Sequence, residues 1–104
     1  MRYYETLYIV HPDYEEERLI NVKQSVDRWI SDRGASIINS YVWGKRKLAY
    51  PVDKQMYGTY MLLNYGTEKP FFPELNEWFQ LNEAVLAYFT VLLDQEPGAR
   101  AEES

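Results

Sequence analysis

The sequence contains no cysteine and only one histidine, and this excludes several kinds of site at once. Without cysteine there is no disulfide, no thiolate ligand for zinc and no thiol nucleophile. His11 alone supplies too few nitrogen ligands for a transition-metal site. The longest uncharged run, residues 55–67, is shorter than the ~20 apolar residues that a membrane helix needs. We therefore expect no metal centre and no membrane span.

The sequence motifs of common enzymes are also missing. The sequence has no Walker A loop, no dinucleotide-binding fingerprint and no nucleophile elbow. His11 precedes Pro12 at the end of an apolar segment, where histidine more often occupies a turn than acts as a general base. Four acids near this point lack the spacing of a calcium loop. The sequence indicates a protein that is not an enzyme and uses no cofactor and no small-molecule substrate.

Positive charge is scarce and concentrated in one place. The 104 residues carry 11 basic and 16 acidic side chains, which gives a net charge of -5. Within residues 43–54, however, Lys45, Arg46 and Lys47 are consecutive and lie beside Trp43. Cations interleaved with aromatic rings suit a phosphate backbone with partly unstacked bases. The same cations could instead protect an exposed edge strand from aggregation, and charge alone does not separate these readings.

The spacing of apolar residues predicts the element order β-α-β-β-α-β. The first helix is expected to begin at a capping box formed by Asp13 and Glu16 and to end at Gly34. This order is typical of the α+β ferredoxin-like fold, or split βαβ, with a four-stranded antiparallel sheet and two helices on one face. The predicted strands are residues 2–10, 35–50, 58–65 and 84–93, and a second, short helix follows Pro70.

The chain is expected to form one domain, residues 1–94, followed by a short tail. Residues 95–104 contain Pro97, Gly98 and several acids, and they have too few apolar side chains to order themselves alone. We therefore predict an acidic, flexible C-terminal tail.

Three stretches of the sequence resemble the bacterial small-subunit ribosomal protein six family. The start of the chain reads M-R-x-Y-E, residues 43–51 read W-G-x-R-x-L-A-Y-P, and Val85-Leu86 lies in the last predicted strand. The second stretch carries most of the specificity, because nine positions with a fixed aromatic residue, glycine, arginine and proline rarely match by chance. One departure is Ala87, where the family usually has an arginine.

This resemblance implies a structural protein of the cytoplasmic ribosome. It implies binding to the central domain of small-subunit ribosomal RNA together with ribosomal protein eighteen, and a tail that lies against that partner. Two of the implied contacts, Tyr4 and Tyr50, could equally pack in the core or on the sheet, and Trp43 and Tyr50 could brace the hairpin. The implied RNA-binding residues are Arg2, Tyr4, Lys45, Arg46, Lys47 and Tyr50.

Two alternatives keep the same fold. A non-catalytic ferredoxin-like module could dimerise through its open sheet face or its edge, with the basic cluster only deterring aggregation. A small phosphatase would place a glycine-rich anion loop after the first strand, where this chain has Val10-His11-Pro12-Asp13.

Overall fold

The structure, a computed structural model, describes residues 1–98. Its four strands form one antiparallel sheet in the order β2-β3-β1-β4, as the ferredoxin-like fold requires. The predicted element order is therefore confirmed. The elements are β1 (Arg2–Val10), α1 (Glu17–Asp32), β2 (Ser36–Val52), β3 (Gln55–Thr67), α2 (Phe72–Leu81) and β4 (Val85–Leu93).

Both helices cover the same face of the sheet. Side chains of β1 alternate in burial, and the even-numbered ones from Tyr4 to Val10 point into the core. The two helices contribute apolar stripes to this core, with the 3.6-residue period that the sequence predicts for α1. Neither helix in the described part of the chain is long and apolar enough to cross a membrane. The buried residues of these three elements are Tyr4, Thr6, Tyr8 and Val10 from β1, Val22, Val26 and Ile30 from α1, and Leu75 and Phe79 from α2.

The helix α1 begins later than the predicted capping box places it. The backbone N–H of Asp13 donates to His11 Nδ1 at 3.1 Å, so this segment forms a turn instead of a first helical turn. Glu16 adopts a φ of 49°, and no side chain caps the helix, which starts at Glu17. The predicted capping box is therefore wrong. The end of α1 is as expected, with Gly34 at a left-handed φ of 85°.

Polar groups within the core are paired. The Thr6 hydroxyl lies 3.1 Å from the Tyr65 hydroxyl and 2.8 Å from the Thr90 hydroxyl, which links three strands. Burial raises the pKa of Tyr65, and its hydrogen bonds with Thr6 and Thr90 partly offset this effect. Burial also raises the pKa of Tyr8, and the nearby Asp27 charge adds to the shift. The polar side chains thus join the sheet without leaving unsatisfied donors in its described core.

Candidate nucleic-acid interface

The hairpin formed by β2 and β3 extends beyond the four-stranded sheet. Pairing of β1 with β3 ends at Val10 and Thr59, whereas β2 and β3 continue to a turn at Asp53 and Lys54. These two turn residues have positive φ values of 47° and 67°, as in the two-residue turns that match strand twist. We call residues 45–59 the arm, and at ~3.3 Å per residue it projects about 20 Å.

Gly44 allows β2 to bend where the arm leaves the sheet. The pairing register shifts between Val42 and Gly44, so β2 has a bulge at this point. Gly44 adopts a φ of 139°, which side chains rarely permit. A bulge bends its strand and increases the local twist. The glycine of the W-G pair thus sets the direction in which the basic residues are presented.

The three cations lie on both sides of the arm. Lys45 lies on the side of the helices, with its Nζ 2.9 Å from Glu15 Oε1. Arg46 lies on the opposite side, with its Cζ 4.3 Å from the centroid of the Trp43 ring. Strand alternation places Lys47 on the same side as Lys45. An RNA backbone that followed the arm could therefore meet cations along either side.

Trp43 braces the arm and also holds Arg46. Its ring meets the edge of the Tyr60 ring at a centroid distance of 6.2 Å, and 47 % of Trp43 remains exposed. A guanidinium stacked on an indole keeps its N–H edges available for a bidentate contact with phosphate. Within residues 1–98, no ion pair involves Arg46 or Lys47. Trp43 thus braces the arm, one of the two roles expected for it, and its stacking on a base stays a prediction.

Lys45 differs from its two neighbours because it has an acidic partner. Its hydrogen bond to Glu15, and next its positive charge, lower the pKa of that carboxyl group below the ordinary value. The sequence places Glu15 only in an acidic cluster before the first helix. The two residues are 30 positions apart, and no local pattern signals their contact.

Arg2 lies far from the other predicted RNA contacts. It is exposed at the first position of β1, whereas the arm leaves the sheet beside Val10, the last position. At ~3.3 Å per residue, these two points are about 25 Å apart. The structure thus brings Lys45, Arg46 and Lys47 together but does not bring Arg2 to them.

The two tyrosines in the predicted contact set have opposite environments. Tyr4 is only 3 % exposed, and its ring meets the edge of the Phe72 ring at 4.7 Å, within the core. Tyr4 therefore packs in the core, the alternative that the sequence left open, and so buried a side chain offers almost no surface to RNA. Tyr50 is 72 % exposed on the arm and is free to stack on a base.

The sheet face without helices is largely apolar. Strand register places Leu7 of β1 between Leu62 of β3 and Phe89 of β4, and Phe89 is 64 % exposed. Ala87 pairs with Ile9 near the end from which the arm projects. An arginine at this position, which the resemblance implies, would therefore add a cation on this face, close to the arm. In this chain the same position remains apolar.

A row of polar groups crosses the open face. Asn64 Nδ2 donates to Glu5 Oε1 at 3.1 Å, and Asn39 Nδ2 donates to Asn64 Oδ1 at 2.9 Å. Asn39 Nδ2 also lies 3.0 Å from the carbonyl oxygen of Gly98. The chain after β4 thus returns from one edge of the sheet to β2 at the other edge. The rest of the predicted tail, residues 99–104, lies outside the described residues, so its flexibility stays a prediction.

His11 has the geometry of a turn residue. Its Nδ1 accepts the backbone N–H of Asp13 at 3.1 Å, and its own backbone N–H donates to the Ala84 carbonyl oxygen at 2.8 Å. Over residues 1–98, no group of three or more histidine and acidic side chains is arranged to hold a metal ion.

Residues 3–92 match the family model described as Ribosomal protein S6. The chain belongs to the ribosomal protein S6 family. Small ribosomal subunit protein bS6 of Caldanaerobacter subterraneus subsp. tengcongensis is 37 % identical over 94 residues, covering 90 % of this chain and 99 % of that protein. The bS6 protein of Thermoanaerobacter pseudethanolicus is 37 % identical over 95 residues, covering 91 % of this chain and 100 % of that protein.

A solved structure of the ribosomal protein S6 family has the same fold. The crystal structure of 30S ribosomal protein S6 from Thermotoga maritima superposes with a TM-score of 0.82 at 25 % sequence identity, covering 88 % of this chain and 87 % of that one. The resemblance drawn from the W-G-x-R-x-L-A-Y-P stretch is confirmed. Family membership makes this chain a structural protein of the small ribosomal subunit, located on ribosomes in the cytoplasm.

Proposed function

We propose that this chain binds the central domain of small-subunit ribosomal RNA as a heterodimer with ribosomal protein eighteen, and that it catalyses no reaction. The observation that carries the proposal is the exposure of Lys45, Arg46 and Lys47 on an arm that projects from the sheet. None of these three side chains is buried in the core, and two of them have no acidic partner among the described residues. Their charge is therefore available for phosphate.

The charge distribution supports binding in one orientation. The whole chain carries a net charge of -5, so most of its surface repels phosphates, whereas the arm attracts them. Tyr50, exposed beside the cations, adds a ring on which an unpaired base can stack. An acidic protein with one basic projection approaches RNA with that projection first.

The open sheet face supports a protein partner. An exposed phenylalanine, Phe89, and its apolar neighbours leave hydrophobic surface that no described helix covers. A basic partner seated on this face would also add positive charge to the complex. The same surface supports the second candidate, a module that dimerises through this face. Sedimentation of the pure protein separates the two, because a tight homodimer that does not join small subunits would favour the module.

The salt dependence of RNA binding tests the proposal directly. Three phosphate contacts give a slope of log affinity against log salt of about -2.7. Raising the salt from about 50 to 200 mM then weakens binding by a factor of about 40. In the partner complex, replacing Lys45, Arg46 and Lys47 together by alanine should remove most of this slope. The measurement is a filter-binding titration with a central-domain RNA fragment at several salt concentrations.

A matched triple variant controls for the change in net charge. Arg18, Arg28 and Lys69 are exposed cations outside the arm, and replacing them by alanine removes the same three charges. This control should keep nearly the full slope, because its cations do not meet phosphate. Equal slopes for the two triple variants would contradict RNA binding by the arm.

A further inference from the structure

We propose that Glu15 is an internal competitor of RNA phosphate for Lys45, and that it lowers both the affinity and the salt dependence of binding by the arm. The inference rests on the proposed function of the arm. It assigns to Glu15, a residue outside the basic stretch, a direct effect on how strongly that stretch binds.

The geometry shows that carboxylate and phosphate would use the same cation. Lys45 Nζ lies 2.9 Å from Glu15 Oε1, a charge-assisted hydrogen bond. The Lys45 side chain is 45 % exposed and that of Glu15 is 67 % exposed, so a phosphate can approach the ammonium group from solvent. A phosphate oxygen that takes the place of the carboxylate must break this pair and then lie beside a free negative charge.

Among the described residues, Lys45 alone of the three consecutive cations is restrained in this way. Arg46 rests on the face of Trp43, and Lys47 has no acidic partner among residues 1–98. The arm therefore binds its first two phosphates without displacing an acid. The third contact, at Lys45, exchanges one anion for another. The lowered pKa of Glu15 agrees with a carboxylate that stays charged and paired.

The exchange changes the number of ions released on binding. A lysine that neutralises a phosphate releases between about 0.7 of a counterion from a single strand and about 0.9 from a duplex. When Glu15 is displaced, its exposed carboxylate regains counterions from solution, which offsets part of that release. In the wild-type protein, Lys45 should then contribute less than a full contact to the salt slope, which should lie between about -1.8 and about -2.7, the value for three unopposed contacts. Removing the competitor should restore the contribution.

The test compares Glu15→Gln with Glu17→Gln in the complex with ribosomal protein eighteen. Glu17 is an exposed acid two residues after Glu15, at the first position of α1, has no ion pair among the described residues, and loses the same charge when replaced. With the central-domain RNA fragment, Glu15→Gln should bind more tightly at low salt than Glu17→Gln. Its slope should be steeper by up to ~0.9, an extra loss of about threefold between about 50 and 200 mM salt.

Repeating the comparison in a Lys45→Ala protein shows whether the effect of Glu15 on RNA binding depends on Lys45. In a Lys45→Ala protein, Glu15→Gln should change binding no more than Glu17→Gln does. Equal affinities and slopes for Glu15→Gln and Glu17→Gln in the otherwise wild-type protein would overturn the inference while leaving the arm as the RNA-binding element. If replacing Lys45, Arg46 and Lys47 together by alanine leaves the slope unchanged, the proposed function itself fails, and this inference fails with it.

Discussion

Replacing Tyr4 by alanine distinguishes a core residue from an RNA contact. The Tyr4 side chain is 3 % exposed, and its ring lies 4.7 Å from the Phe72 ring and 5.9 Å from the Tyr65 ring. Truncating a buried aromatic side chain to alanine costs about 3 to 5 kcal/mol of unfolding free energy. A domain of this size has about 5 to 15 kcal/mol in total, so the variant should be close to its limit of stability.

Urea unfolding followed by circular dichroism measures this loss. With a denaturant slope of ~1.5 kcal/mol/M, a loss of ~4 kcal/mol lowers the midpoint by between about 2 and 3 M. Tyr4→Phe keeps the ring in place and should stay within about 1.5 kcal/mol of the wild type. An unchanged midpoint for Tyr4→Ala, accompanied by weaker RNA binding, would refute the assignment of Tyr4 to the core.

Tyr50→Ala provides the opposite case. Because Tyr50 is 72 % exposed, its removal should change the unfolding free energy by no more than about 0.5 kcal/mol. If Tyr50 stacks on a base, the same variant should lose between about 1 and 3 kcal/mol of RNA-binding free energy. Tyr4→Ala should thus mainly lower the free energy of unfolding, whereas Tyr50→Ala should mainly weaken RNA binding.

Two further predictions concern packing and pH. A side chain at Gly58 would overlap Ile9 where the arm leaves the sheet. Gly58→Ala should therefore lower the free energy of unfolding, measured in urea, by about 1 to 3 kcal/mol. Gly98 has open space around it, so Gly98→Ala should leave that free energy unchanged. Burial raises the pKa values of Tyr8 and Tyr65, so their contribution to stability is full below the unfolded value of about 10 and declines as the pH rises above it. Urea midpoints measured across this pH range should fall, and a constant midpoint would contradict the assigned burial.

The pattern of apolar residues was sufficient to predict the fold. The helical period of α1 and the alternation of the strands are local properties of the chain, and the element order then leaves few possible topologies. The start of α1 was misplaced because Asp13 and Glu16 satisfy a capping pattern, whereas the backbone turns at His11 and Glu16 adopts a φ of 49°. The local preferences of Asp13 and Glu16 carry no information about where β1 ends, and the end of β1 fixes this turn in the folded chain.

The inward face of β1 could not be read from its sequence. Tyr4 and Tyr8 point to the helices, but Tyr3, Leu7 and Ile9 on the other face are also apolar. A strand with apolar residues on both faces carries no signal for which one is buried, because burial depends on where the helices pack. The sequence therefore carried no signal that Tyr4, which the resemblance implied as an RNA contact, faces the core.

The sequence by itself determined the element order, the family and the position of the basic cluster, because all three depend on the order and spacing of residues along the chain. The tertiary structure alone decided which residues meet. It separated Arg2 from the arm by about 25 Å along β1, and it joined Lys45 to Glu15 across 30 positions at 2.9 Å. Such contacts arise from strand pairing and helix packing, which bring together residues that have no local relationship.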